Sequence, residues 1–156
     1  MKTIAVIGWK NSGKTTLVSN LVSHLSKNNL KVGVVKHAHH TFDIDHPNTD
    51  SYKIREAGSF KTTIVSDKRL AYIEEKDSPE IDIEELIYLN KGCDILIFEG
   101  FKKIKKLSKI EVNLIKNNKE LLYKSFENIK LFVSDDKSEH PIKVLKHNQI
   151  NEIAKE

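Results

Sequence analysis

Gly8-Trp9-Lys10-Asn11-Ser12-Gly13-Lys14-Thr15 stands directly behind the apolar run Ile4-Ala5-Val6-Ile7. The spacing is that of a G-x-x-x-x-G-K-[ST] phosphate-binding loop set between a strand and a helix. Gly8 and Gly13 permit tight backbone turns, so successive N–H groups can face inward around an anion. Lys14 adds a compact positive charge, Thr15 a hydroxyl suited to Mg²⁺, and the helix that starts here points its positive dipole end at the same place. Gly8, Asn11, Ser12, Gly13, Lys14, Thr15 and Thr16 are therefore the expected wall of a nucleoside triphosphate site.

Outward from this loop the pattern is that of an α/β protein. Thr3–Ile7 reads as a strand buried on both faces in the middle of a mostly parallel sheet. Leu17, Val18, Leu21, Val22 and Leu25 recur at helical spacing until Asn28-Asn29, and Lys31–Lys36 is the next strand. His37 to Asp50 is polar, carries Pro47 and reads as a loop at a strand's carboxyl end, where such sheets place their ligands. Asp50-Ser51 is positioned to cap a short helix through about Ala57. Thr62–Ser66 and Arg69–Glu74, separated by Asp67-Lys68, read as a hairpin. A helix is expected over Asp82–Leu89, then a strand over Asp94–Phe98 ending at Glu99-Gly100. Lys109–Ile115 alternates and reads as a partly exposed strand, Ile129–Ser134 as a buried one, and Gln149–Lys155 as a terminal helix. The expectation is a three-layer P-loop NTPase fold, mostly parallel, with a β-hairpin extension, and one domain over residues 1–156.

Composition sets the class. At 156 residues, 38% hydrophobic and 31% charged, the chain has the make-up of a soluble globular domain. Its apolar runs are too short to span a bilayer and Cys93 is its single cysteine, so a cytoplasmic protein is expected. The net charge of +4 and the run Lys102-Lys103-Ile104-Lys105-Lys106 raise the question of nucleic acid. Only Arg55 and Arg69 supply guanidinium forks and no aromatic residue interleaves the run, so a solvated rim near a small anion is the better reading.

Three constellations bear on chemistry. Glu99, at a strand's carboxyl end, is placed to serve Mg²⁺, whereas Asp94 sits at the wrong end. Lys36-His37-Ala38-His39-His40-Thr41-Phe42-Asp43-Ile44-Asp45-His46-Pro47 concentrates four histidines and two carboxylates. That set suits either a transition metal or, with Asp43 and Asp45, Mg²⁺ and the attacking water. For the base, Asn90-Lys91-Gly92-Cys93-Asp94 has one residue too many for N-K-x-D and precedes a strand. In Ser134-Asp135-Asp136 a carboxylate could accept from guanine N1–H and the exocyclic amine, although a plain turn accounts for these residues equally well.

Taken together, the phosphate loop with Thr16-Leu17, Lys36-His37-Ala38-His39-His40, Phe42-Asp43-Ile44-Asp45-His46-Pro47 with Asp50-Ser51, Arg55 and Ala57-Gly58, and Glu99-Gly100-Phe101-Lys102 resemble the MobB family of molybdopterin-guanine dinucleotide biosynthesis. The resemblance runs in order from residue 1 to about 102. It implies GTP and Mg²⁺ as ligands, weak GTP hydrolysis, and a homodimer that acts as adaptor to the guanylyltransferase attaching GMP to molybdopterin, with molybdopterin itself a possible contact. Carried over by position, Gly13, Lys14, Thr15 and Thr16 hold phosphate and metal. Asp43, Asp45 and Glu99 serve metal and water, with Thr15, Asp43 and Glu99 as the metal set, while His37, His39, His40 and Lys102 line the phosphate or cofactor side. The family commonly has Pro-Gly-Lys-Asp-Ser where this chain has Pro47-Asn48-Thr49-Asp50-Ser51. The dimer is expected through strands near Arg69–Glu74 and Lys109–Ile115. Two other classes fit the loop: a small P-loop kinase, for which two arginines are few to build a lid, and a nucleotide-switched metal-delivery module using His37–His46.

Overall fold

The computed structural model, which describes residues 1–38, 42–77, 80, 82–113, 120–135 and 141–156, turns the N-terminal apolar run into strand β1 (Lys2–Ile7) of a six-stranded sheet. The helix after the phosphate loop is α1 (Lys14–Lys27), and β2 follows as Val32–Lys36. Then come α2 (Asp50–Glu56), the strands β3 (Lys61–Ser66) and β4 (Arg69–Glu74), α3 (Ile83–Leu89) and β5 (Ile95–Glu99). The chain continues through β6 (Lys109–Val112), a 3₁₀ turn (Leu122–Lys124), β7 (Ile129–Val133), β8 (Val144–Leu145) and α4 (Ile150–Lys155). The large sheet runs in the order β2-β5-β1-β6-β7-β8 with every pairing parallel, and β3 and β4 form a separate antiparallel pair.

Contacts divide the chain into one unit of Met1–His37 with Ile83–Glu156 and a second of Ala38–Asp82. In the first, side-chain alternation along β1 sends Val6 to one face and Ala5 and Ile7 to the other. Val6 joins Leu17, Val18, Leu21 and Leu25 of α1 and Ile153 of α4, while Ala5 and Ile7 pack with Ile83, Phe98 and Leu122. Helices α1 and α4 thus cover one face, and α3 with the 3₁₀ turn covers the other. Helix α1 ends as expected, for Asn29 takes φ 62° and Leu30 N–H returns to Leu25 O at 3.2 Å. Among the described residues no helix is long and apolar enough to cross a membrane.

Two expectations change. Strand β6 is fully buried, with Lys109 and Glu111 each 1% exposed. Period-two alternation suggested a charged face in water, but the charged groups are satisfied indoors. Lys109 Nζ donates to Leu107 O and Glu127 O, both at 3.0 Å, and Glu111 accepts from the N–H groups of Leu122 and Tyr123 at 2.6 and 2.9 Å. Since β6 lies between β1 and β7, both its edges are used and it offers none to a second copy; residues 114 and 115 lie outside the described residues. Helix α2 is capped by Thr49, whose hydroxyl accepts from Tyr52 N–H at 3.2 Å, and not by Asp50 or Ser51. The two-residue β8 and the 3₁₀ turn had no counterpart in the sequence reading.

Candidate functional site: a phosphate cradle at the carboxyl edge of the sheet

Strand β1 ends at Ile7 and the chain must turn sharply to start α1. It does so with Asn11 at φ 64° and Gly13 at φ 89°, two left-handed residues in a short stretch that concentrate backbone N–H groups on one concave side. The resulting hollow, about 360 Å³, is lined by Asn11, Ser12, Gly13, Lys14, Thr15 and Thr16. Gly8 is required by proximity: a Cβ there would lie 2.4 Å from Val112 O and 2.3 Å from Ser12 Oγ. Because the first neighbour is backbone of a buried strand, Gly8→Ala is expected to lower stability by about 1–3 kcal/mol, read as a fall in the thermal midpoint. An unchanged midpoint would mean that the loop and β6 separate freely.

Charge follows the same geometry. Lys14 Nζ donates to Trp9 O at 2.6 Å, and Thr15 Oγ1 donates to Glu99 Oε1 at 2.9 Å. Glu99, the last residue of β5, is 7% exposed and lies 3.6 Å from Lys36 Nζ, its register neighbour on β2. Burial pushes the Lys14 ammonium below its ordinary value, Glu99 opposes this, and the nearby Lys36 and Lys102 charges push it further down. Lys14 and Lys36 both feel the Glu99 carboxylate and Lys102 lies close enough to repel Lys14, which leaves an excess of ammonium charge at a helix N-terminus, the electrostatics of an anion site.

Around this centre, His37 N–H donates to Glu99 O at 3.0 Å and its ring meets Phe101 edge-on at 5.4 Å. Phe101 holds φ 55°, a costly conformation for a bulky residue, kept in place by the Phe98 ring at 5.2 Å. Lys102 Nζ sits 4.6 Å from the Trp9 ring centroid and 5.8 Å from that of Phe126. Further along the basic run, Lys105 and Lys106 pair with Glu127 and Glu84. The structure thus brings together Gly8, Asn11 to Thr16, His37, Glu99 and Lys102. It adds Lys36, whose signal was available as a lysine ending the strand next to that of Glu99. Asp94 is structural, accepting from Lys31 N–H at 2.7 Å. Asn90 to Asp94 form the turn after α3, with Cys93 N–H bonded to Asn90 O at 3.3 Å.

Asp43 and Asp45 belong to the second unit, where Arg55 organises them. Arg55 Nη1 donates to Asp43 Oδ1 at 2.9 Å and lies 3.6 Å from Asp45 Oδ2, while Nε and Nη2 donate to Glu75 Oε1 at 3.1 Å. The Asp45 N–H and then Arg55 hold the Asp43 carboxyl below its ordinary range. Burial raises Asp45, but bonds from His46 N–H, Ser51 and Thr49 outweigh it and the net direction is down. The 47–51 departure is locally compatible: Asn48 takes φ 74°, the conformation glycine would take, and Thr49 supplies the cap of α2. His39 and His40 lie outside the described residues, as does Asp136.

A mostly parallel sheet with a glycine-turned phosphate cradle after its central strand defines an α/β protein of the P-loop NTPase fold, a nucleotide-binding class. The profile of MobB, described as "Molybdopterin guanine dinucleotide synthesis protein B", matches residues 3–135, and the chain belongs to that family. It is 36% identical over 102 residues to the molybdopterin-guanine dinucleotide biosynthesis adapter protein of Escherichia coli (strain K12), covering 64% of this chain and 58% of that one. It is 31% identical over 120 residues to the putative adapter protein of Methanocaldococcus jannaschii, covering 75% and 48%. The chain thus spans about half the length of the relatives it matches. A crystal structure titled molybdopterin-guanine biosynthesis protein B superposes with TM-score 0.74 at 27% identity, over 98% of this chain and 95% of that one. Bacillus subtilis MobB, at 21% identity and TM-score 0.78 over 99% and 97%, shares the fold.

Proposed function

We propose that this chain binds GTP with Mg²⁺ and acts as an adaptor in molybdopterin guanine dinucleotide synthesis, beside the guanylyltransferase that attaches GMP to molybdopterin. The observation that carries this reading is the cradle of Asn11 to Thr16 facing an excess of ammonium charge from Lys14, Lys36 and Lys102. The names of the similar proteins in Escherichia coli and Methanocaldococcus jannaschii supply the pathway. Thr15 and Glu99 fit a hard cation, since both present oxygen and stand 2.9 Å apart at the mouth of the cradle. When bound, the ion would neutralise charge on the β- and γ-phosphates.

Hydrolysis by the chain alone is slow in this reading. Arg55 is committed to Asp43 and Glu75, so it is not a ready arginine finger. The same two commitments count against a kinase lid, and the Arg55, Thr49 and Ser51 bonds already made by Asp43 and Asp45 count against a metal-delivery loop. A cytoplasmic homodimer fits the β3–β4 pair, which exposes Val65 and Leu70 and leaves an open edge on either side within its own sheet.

Competition among GTP, ATP and GDP for the purified chain, repeated with molybdopterin and a guanylyltransferase, tests the proposal; ATP preference, or no effect on GMP transfer, refutes it. Glu99→Gln keeps the acceptor for Thr15 but removes the charge. It is expected to lower the Mg²⁺ contribution to GTP affinity about tenfold or more by calorimetry, with magnesium-free binding little changed. Equal losses with and without the ion would assign Glu99 a structural role.

A further inference from the structure

The phosphate cradle fixes one end of a nucleotide, and the carboxyl edge of the sheet limits where the base can go. Strand β1 delivers the cradle, β2 delivers Lys36 and His37, and β5 delivers Glu99, whose carboxylate is engaged by Thr15 and Lys36. On the other side of β1 lie β6 and then β7, so β7 ends roughly 10 Å across the sheet from the cradle strand. Its carboxyl end continues into Ser134-Asp135. Asp135 is an acidic side chain two residues beyond the last residue of β7, Val133.

The local geometry presents that carboxylate. Ser134 N–H donates to Leu145 O at 3.0 Å, so β7 and β8 stay paired to their ends and bring Asp135 beside Lys146 and His147. Asp135 Oδ1 accepts from the His147 backbone N–H at 3.3 Å, which orients the group, while its side chain remains 48% exposed. His147 Nδ1 lies 3.4 Å from Asp135 Oδ2 without making a hydrogen bond, and both ring nitrogens are buried and unbonded. A carboxylate offers lone pairs and no donor. Guanine presents two adjacent donors, N1–H and the 2-amino group, where adenine has an acceptor and a C–H.

We infer that Asp135, held by the His147 amide at the carboxyl ends of β7 and β8, is the residue that reads the guanine base. The inference rests on the proposed GTP binding and adds the determinant of base choice. An amide at this position would accept from N1–H and donate to the 2-carbonyl of xanthine, so Asp135→Asn should exchange one base for the other. The amide oxygen can still accept the His147 N–H, so the fold is retained, which circular dichroism checks.

The experiment titrates the full chain and Asp135→Asn with GTP, XTP and ATP in magnesium, with Lys14→Ala as reference. The variant is expected to bind GTP roughly ten- to a hundredfold more weakly and XTP more tightly than wild type does, with the preference inverted. If wild type binds GTP and the variant keeps the same GTP to XTP ratio, the assignment of Asp135 is overturned and GTP binding stands. If wild type prefers ATP or binds no guanine nucleotide, both fall together.

Discussion

Replacing Lys14 by alanine is expected to weaken triphosphate binding by about a hundredfold or more while the fold survives. The ammonium is the one charge of the cradle donated from inside the loop, and hydrogen bonds to charged groups are worth up to about 3 kcal/mol, which is a factor of about a hundred and more. Nothing comparable is lost in the free protein, where the Lys14 Nζ donates to a single carbonyl, that of Trp9. The direction of its titration agrees. Burial disfavours the charged form, so at neutral pH the ammonium opposes folding, and that opposition is relieved only as pH rises through its lowered value. Alanine is therefore expected to leave the thermal midpoint unchanged or slightly raised without ligand, and to abolish the rise that GTP produces. A variant that still shifts with micromolar GTP would remove Lys14 from the site.

The parts of this site that were legible in the sequence are those whose chemistry is local. Gly8, Gly13, Lys14 and Thr15 act within one turn of chain, and their spacing is the geometry. Glu99-Gly100 was legible for a related reason, since an apolar run that stops at an acid marks a strand's carboxyl end. Lys36 carries no mark of its role within its histidine-rich segment, because that role arises from register: it pairs across β2 and β5 with Glu99, 63 positions away in the chain.

The misreadings share one physical cause. Lys109-Ile110-Glu111-Val112 has the alternation of a half-exposed strand, yet the partners of both charged groups are backbone atoms, the carbonyls of Leu107 and Glu127 for Lys109 and the amides of Leu122 and Tyr123 for Glu111. Sequence pattern records which residues are polar, not whether a distant carbonyl or amide will satisfy them. Asp43 and Asp45, in the second unit, have a pairing that sequence pattern likewise does not record. Two carboxylates after a strand read as metal ligands, and Arg55 lies 12 residues beyond Asp43 on a helix that shows no sign of its partner. A strand of two residues, as in β8, is too short to carry any periodicity.

Glu111 is the place where that cause has the largest expected effect on stability. Its buried carboxyl accepts the first two N–H groups of the 3₁₀ turn, and the residue before that turn's cap, Glu120, accepts the Trp9 indole N–H at 2.8 Å. Glu111→Ala strands two amides, one of them fully buried, and leaves a void. A loss of about 3 kcal/mol is expected, or a fall of about 6–12 °C in the midpoint. A loss below about 1 kcal/mol would mean that water replaces the carboxyl. Titration separates this from simple truncation. Burial raises the Glu111 carboxyl above its ordinary value, more than the two amides lower it, so its contribution to stability is full below the ordinary carboxylate range and declines as pH rises through the raised value. Glu111→Gln cannot ionise and turns its amino group toward one of the amides. It should be less stable than wild type in acid, with the gap narrowing as pH rises above the ordinary carboxylate range. A gap that stays constant over that rise would show that Glu111 does not titrate there. Because the same segment anchors Trp9, whose carbonyl holds Lys14, loosening it should also weaken nucleotide binding, by less than Lys14→Ala does.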